Sequence, residues 1–258
     1  MKDKPKLWCA LYDVHFPQYD KKTFRAILSF IRQNHVDGLL LGGDALDLSC
    51  VSHWNANLPG NKRKGELKSD LDGFDKEILR PIEALLPRGC EKVFLTGNHE
   101  RFLEQDLTES MPELDGMLDF KKYLRLADRG FKLIPLGGEY RIGDLLCIHG
   151  EVVGSGGGNA AKKAVEIYCQ NVLLGHGHQL QASSKCSPSR SKKKICAWMS
   201  PIVGSVSPRY LKHRANAWVN GMTLVYVRDN GTFNLYQVVI TDGVFSFGPT
   251  TYSYKDAA

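Results

Sequence analysis

Between Glu166 and Asp229 the chain carries no aspartate or glutamate, where about seven would fall at its average density. The same stretch holds Lys185, Arg190, Lys192, Lys193, Lys194, Arg209, Lys212, Arg214 and Arg228. Cysteine pairs are missing too. The seven cysteines are odd in number, scattered and never spaced Cys-x-x-Cys, which argues against a disulfide framework or a thiolate zinc site. Cys9 and Cys147 sit in apolar runs, where cysteine behaves as a small buried hydrophobe; Cys186 and Cys196 flank a basic loop and could pair. Long hydrophobic runs are absent as well. No stretch approaches the roughly 20 apolar residues a bilayer requires. Leu7 to Tyr12, ended by Asp13, is too short for a signal-peptide core. A soluble, cytoplasmic protein with no membrane partner is the expectation.

What is present reads as an α/β fold. The 258 residues suffice for one large domain with a substantial core. Lys6 to Tyr12, Leu39 to Leu41 and Lys92 to Thr96 read as buried strands. They are separated by helical patterns, first Phe24, Ile27, Leu28 and Ile31 with Asp20 as N-cap, then Leu67, Leu71, Phe74 and Ile78. Strands alternating with helices indicate a parallel sheet. Further on come a helix from Phe120, a strand from Phe131, a hairpin turning at Gly143-Asp144, a helix near Ala160 to Cys169 and a strand at Val172 to Leu174. Past Trp198 the chain becomes β-rich, with hairpin signals at Asp229-Asn230-Gly231 and Asp242-Gly243. Ser183 to Lys194 reads as a mobile loop. The expectation is a single domain, 1–258, with its chemistry within 13–178 and a basic, β-rich part at 179–258.

That chemistry lies at the strand ends. Asp13-Val-His15, Gly43-Asp44-x-x-Asp47, Gly97-Asn98-His99-Glu100, His149-Gly150 and Gly175-His176-Gly177-His178 each follow a predicted strand. Ligands of open α/β sheets bind beyond the carboxyl ends of the strands. Extended backbone would point Asp13 and His15 the same way, and likewise His176 and His178. Oxygen and imidazole donors without sulfur suit Mn, Fe, Zn, Co or Ni better than an all-oxygen magnesium site.

In these five blocks, taken in order, the chain resembles the calcineurin-like metallophosphoesterase superfamily, and more loosely its compact stand-alone members from phages and bacteria. The resemblance covers Asp13 to His178 and implies a four-layer α/β/β/α sandwich. Asp13, His15 and His178 would hold one divalent ion, Asn98, His149 and His176 a second, and Asp44 would bridge them. Paired ions of this kind, manganese being the first choice, can generate a bridging hydroxide and clamp a phosphoryl group. His99 would protonate the leaving oxygen, and Asp47 would orient His99.

The substrate is less sharply marked. The acid-free basic segment favours a phosphodiesterase or nuclease acting on nucleic acid or nucleotides, with residues 185–214 as the contact and Trp198, Tyr210 and Trp218 available for stacking. A phosphomonoesterase, including a protein phosphatase, is the alternative. The second block lacks the Val-Asp-Arg-Gly continuation whose arginine grips phosphate in protein phosphatases. A non-catalytic scaffold would have lost ligands, and none is lost. His53, Arg209 and His213 are candidate substrate contacts, each of which could equally anchor a loop or face solvent. Glu100 and Arg101 read as a helix-start salt bridge, and His35 as an inert helix end.

Overall fold

The computed structural model describes residues 4–51, 66–103, 109, 119–153, 159–186, 194–208, 211 and 214–256. β1 (Lys6–Leu11) is buried along nearly its whole length, as befits a strand covered on both faces. α1 (Lys21–Gln33) starts where Asp20 accepts the Thr23 amide at 2.7 Å, the capping expected from sequence. β2 (Gly38–Leu41) follows. α2 (Glu66–Phe74) runs on through a π-helical stretch, Asp75–Leu79, into a last turn, Arg80–Glu83. β3 (Glu91–Leu95), the short α3 (Asn98–Arg101) and α4 (Phe120–Tyr123), and β4 (Phe131–Ile134) complete the first half.

The second half opens with the hairpin β5 (Tyr140–Ile142) and β6 (Leu145–Cys147). α5 (Ala160–Tyr168) and β7 (Val172–Leu174) come next. β8 (Gln181–Cys186) and β9 (Lys194–Met199) pair antiparallel, so both ends of the expected loop at Ser183 to Lys194 are strand. β8 escapes a pattern search because Gln-Ala-Ser-Ser-Lys-Cys is an edge strand with little to bury. In that register Cys196 faces Ser184 and Cys186 faces Lys194, and neither cysteine is in a disulfide.

β10 (Gly221–Val227) and β11 (Phe233–Val239) form the hairpin expected around Asn230-Gly231. At Asp242-Gly243, both with left-handed φ (51° and 74°), the chain also turns tightly. There, however, it leaves the sheet: β12 (Val244–Phe247) pairs with β13 (Thr250–Ser253) as a separate two-stranded ribbon.

The strands form two main sheets, ordered β11-β10-β1-β2-β3-β4 and β5-β6-β7-β9-β8. β1 to β4 are mutually parallel, while β10 joins β1 antiparallel and lengthens the sheet beyond what the sequence pattern indicates. Period-two alternation sorts each strand between cores. Leu7, Cys9 and Leu11 pack with Phe24, Ile27, Phe30 and Phe74 of the helices. Trp8, Ala10 and Tyr12 meet Tyr140, Leu145, Cys147 and Leu173 of the second sheet. The far face of that sheet, Leu146, Val172, Leu174 and Met199, packs on Ala160, Ala164 and Val165 of α5. Trp198 belongs to the core between the sheets, edge-on to Phe233 at 5.9 Å, and is not a stacking surface.

Candidate metal centre

Five strands end at one place. Asp13, Asp44 and Asn98 follow β1, β2 and β3 of the first sheet, and His149 and His176 follow β6 and β7 of the second. Backbone bonds tie the strand ends together: Asp13 N to Gly43 O at 3.1 Å, His15 N to Asp44 O at 2.9 Å and Gly175 N to His149 O at 2.7 Å. Among the contacts that join the sheets directly, the His176 amide donates to both oxygens of Asp13 at 3.0 and 3.2 Å.

The side chains do not converge through extended backbone, as the i, i+2 spacing suggests. Asp13, His15, Asp44, His176 and His178 all have left-handed φ, between 49° and 65°. Each such non-glycine residue costs on the order of 1–3 kcal/mol and persists only where the surroundings over-determine it. Five at one sheet edge mark a place where the fold spends stability on geometry.

Three overlapping groups of donors result among the described residues. Asp13, His15 and His178 form one, Asp44, His149 and His176 another, and His15, Asp44 and His99 a third that links them; within each, the donor atoms all lie within 4.8 Å of one another. His15 Nε2 is 3.0 Å from His178 Nε2, Asp13 Oδ1 is 3.4 Å from His178 Nε2, and Asp13 Oδ1 is 3.9 Å from His15 Nε2. Ligands bonded at about 2.0–2.1 Å to a tetrahedral zinc-like ion stand about 3.4 Å apart, so this triangle fits a divalent cation. In the second cluster His149 Nε2 is 3.2 Å from Asp44 Oδ2 and 3.0 Å from Asn98 Oδ1. Its Nδ1 is 3.1 Å from the Gly42 carbonyl. That contact is made by Nδ1–H and leaves Nε2 turned to the carboxylate, as in histidine metal sites whose other ring nitrogen donates to a carbonyl.

Electrostatics agree with the geometry. Burial disfavours the charge of Asp44, but His149 and His99 outweigh it and hold this carboxyl well below its usual range. Asp13 is held down in the same way, burial being overcome by His178 and His149. Burial alone would keep His149 neutral; the Asp44 charge instead lifts it to about 10. His15 and His176 are pushed down, chiefly by burial. The pocket thus holds carboxylates and imidazoles in mutual competition, which bound cations would relieve.

The model of the calcineurin-like phosphoesterase family matches residues 13–201, well over half of the chain. This chain belongs to that family. It is a metal-dependent phosphoesterase, and its clustered His and Asp residues are able to bind metals. It is 24% identical over 232 residues to the Gene 54 protein of Mycobacterium phage D29, covering 86% of this chain and 89% of that protein. The Gene 54 protein of Mycobacterium phage L5 is 22% identical over 84% of this chain and 88% of its own length. Among solved structures, zinc-complexed Vps29 from Entamoeba histolytica aligns with a TM-score of 0.46 at 15% identity, covering 96% of this chain and 99% of its own. A dimetal phosphatase from Danio rerio aligns at 0.41 and 11%, covering 88% and 94%. No helix among the described residues is long and apolar enough to cross a membrane.

Within this phosphoesterase site, His99 and Asp47 lie beside the donors, but not paired as the sequence suggests. His99 Nδ1 is 2.7 Å from the backbone carbonyl of Asp47 and 3.7 Å from its carboxylate. The Asp47 carboxylate faces His15 Nδ1 at 3.5 Å and accepts from Gln18 Nε2 at 2.9 Å. So Asp47 orients His99 through its main chain, while His15 Nδ1, near the Asp47 carboxylate, is buried without a hydrogen-bond partner. Gln18 carries no motif, and nothing in the sequence marks it.

Glu100 is the larger surprise. It makes a buried brace instead of a surface pair: Oε2 accepts from Gly97 N at 2.8 Å and Asp44 N at 3.1 Å, and Oε1 from Leu46 N at 2.9 Å. His35 does lie at the end of α1, with its ring 3.4 Å from Asp37 and away from the site. His53, Arg209, Tyr210 and His213 lie outside the described residues.

Close packing makes Gly97 a test of the arrangement. A Cβ there would stand 2.2 Å from Asp44 Oδ1 and 2.3 Å from Asp44 N, although its φ of −96° is open to any residue. Gly97→Ala is expected to cost about 1–3 kcal/mol by overpacking and to weaken metal binding by displacing Asp44. Thermal unfolding and bound metal per chain check both. Full metal occupancy in this variant would show that the carboxylate is free to move.

Proposed function

We propose that this chain is a phosphodiesterase working with two divalent ions, acting on nucleic acid or nucleotides. The observation that carries it is the donor group Asp13, His15 and His178 beside the group Asp44, His149 and His176, with Asp44 and His15 meeting in a third group. In this reading Asp13, His15 and His178 hold one ion, Asn98, His149 and His176 hold the other, and Asp44 lies between them. Manganese is the first choice, with iron, zinc, cobalt and nickel chemically compatible. Two such ions supply an activated water and a positive clamp on the phosphoryl oxygens.

The chain's own groups do the rest. Asp47, through its carbonyl, accepts from His99 Nδ1–H, so the doubly protonated ring turns its Nε2–H to the cleft, gives that proton to the leaving oxygen and is left as the neutral Nδ1–H imidazole. The Asp47 carboxylate, held by Gln18, sets a negative charge 3.5 Å from His15 Nδ1. Preference for a diester rests on the acid-free basic stretch that follows the last block. The reading takes the chain as one domain, with the α/β/β/α order of layers that its three cores support.

The test is to strip the protein of metal, restore Mn²⁺, count ions per chain, and compare bis-p-nitrophenyl phosphate with p-nitrophenyl phosphate. Two ions per chain and faster diester turnover are expected. Monoester preference would redirect the search to phosphomonoesters and leave the basic stretch without a role. One ion or none per chain would defeat the two-metal reading.

A further inference from the structure

The cleft over the donors encloses about 280 Å³ and is lined by Asp44, Asn98, His99, His176, Gly177, His178, Gln179 and Trp218. Among the described residues, Trp218 is the one large apolar ring in this lining. It arrives from a distant part of the chain and is firmly seated. Gln179 and Trp218 form an isolated antiparallel bridge. The Val219 amide donates to the His178 carbonyl at 3.0 Å, and the Trp218 amide to Asn216 Oδ1 at 2.9 Å. The indole stands edge-on to the His178 imidazole, ring centres 4.3 Å apart at 83°, and remains partly exposed.

Gln179, beside it, has a determined orientation. The Ala161 amide can only donate, and it points at the Gln181 side chain at 3.2 Å, so the atom receiving it is the oxygen. Gln181 therefore turns its NH₂ to Gln179, whose oxygen accepts it at 2.9 Å. The relay leaves Gln179 presenting its own NH₂, a donor, in the lining of a cleft whose other polar groups are ligand types.

We infer that Trp218 and Gln179 form a nucleobase subsite. Trp218 stacks a base attached to the scissile phosphate, and the Gln179 amide donates to an acceptor on that base's edge. This inference rests on the phosphodiesterase reading above and narrows its substrate to nucleoside diesters. A planar base suits a partly exposed indole because every base presents a π-face. A flat aromatic wall would give a phosphorylated serine or threonine side chain, which has no ring, little to use.

The test compares thymidylyl-3′,5′-thymidine with the same dinucleotide backbone lacking both bases, using Mn²⁺-loaded protein and chromatographic detection of products. Wild type should cleave the base-bearing dinucleotide at least about tenfold more efficiently in kcat/KM. Trp218→Ala should collapse that ratio toward one, through a rise in KM of about 5- to 150-fold on the base-bearing substrate. Trp218→Phe should retain most of the preference, and Gln179→Ala should lower it without Trp218 being touched.

Equal cleavage of both dinucleotides by wild type overturns the subsite while leaving the diesterase reading standing. A Trp218→Ala variant that loses both activities in proportion also overturns it, since the indole would then merely seat His178. Cleavage of neither dinucleotide by metal-loaded wild type removes the diesterase reading and the subsite with it.

Discussion

Asp44→Asn is expected to lower kcat by about 10³-fold or more, on the order of 4 kcal/mol of transition-state stabilisation, while leaving the fold intact. The substitution is isosteric, so the contact from the His99 amide to Asp44 Oδ1, 2.8 Å long, can persist. What disappears is the charge. Asp44 is almost wholly buried, with Oδ2 3.2 Å from His149 Nε2 and 4.0 Å from His99 Nε2. It belongs to the donor group of His149 and His176 and also to one with His15 and His99, so the proposal has both ions lean on it. Bound metal should fall from two ions per chain to one or fewer, with unchanged far-ultraviolet circular dichroism. Turnover within about tenfold of wild type would show that Asp44 is not shared.

Glu100→Ala is expected to destabilise the metal-free protein by about 3–5 kcal/mol, because it leaves three buried amides without an acceptor. For a chain of this size that lowers the melting temperature by about 10 °C. The amides belong to Gly97, Asp44 and Leu46, so the brace ties the second and third blocks together beneath the site. Asp44 sits there at φ 49°, and the brace is part of what holds it. Burial, and then the Asp44 charge, push the Glu100 carboxyl up to about 7, against the pull of the Leu46 and Gly97 amides.

Glu100→Gln should recover part of the loss but not all of it. Whichever way the amide turns, its NH₂ meets at least one backbone donor. Activity should drop in both variants alongside stability, as the Asp44 loop relaxes. Melting within about 2 °C of wild type for Glu100→Ala would mean that water replaces the carboxylate at no net cost.

Which parts of this were legible in the chain alone follows from what each feature depends on. Asp13, His15, Asp44, Asn98, His149, His176 and His178 stand out because ligand-type residues follow buried strands, beside glycines that permit close turns. Gly97 is tight enough that a Cβ would touch Asp44. The strand–helix alternation through β3 was equally readable, since both faces of those strands are buried and their apolar runs are continuous. β8 was not, because an edge strand of Gln, Ala, Ser and Lys buries too little to leave a pattern. β10 was readable as half of a hairpin, but its pairing with β1 was not, since that spans more than two hundred residues of sequence.

The sequence by itself determined the donor types, their order, and the α/β class that delivers them to one sheet edge. Tertiary structure alone decided how they meet. Left-handed backbone, and not extended alternation, turns Asp13 toward His178. The carbonyl of Asp47 orients His99 while its carboxylate lies near His15. Glu100 points inward to three amides, and Trp218 closes a cleft whose other lining residues reach back to Asp44. Hydrophobic period and residue type are local and survive in one dimension. Long-range hydrogen bonds and ring contacts join residues that share no pattern, so they exist only once the sheets have packed.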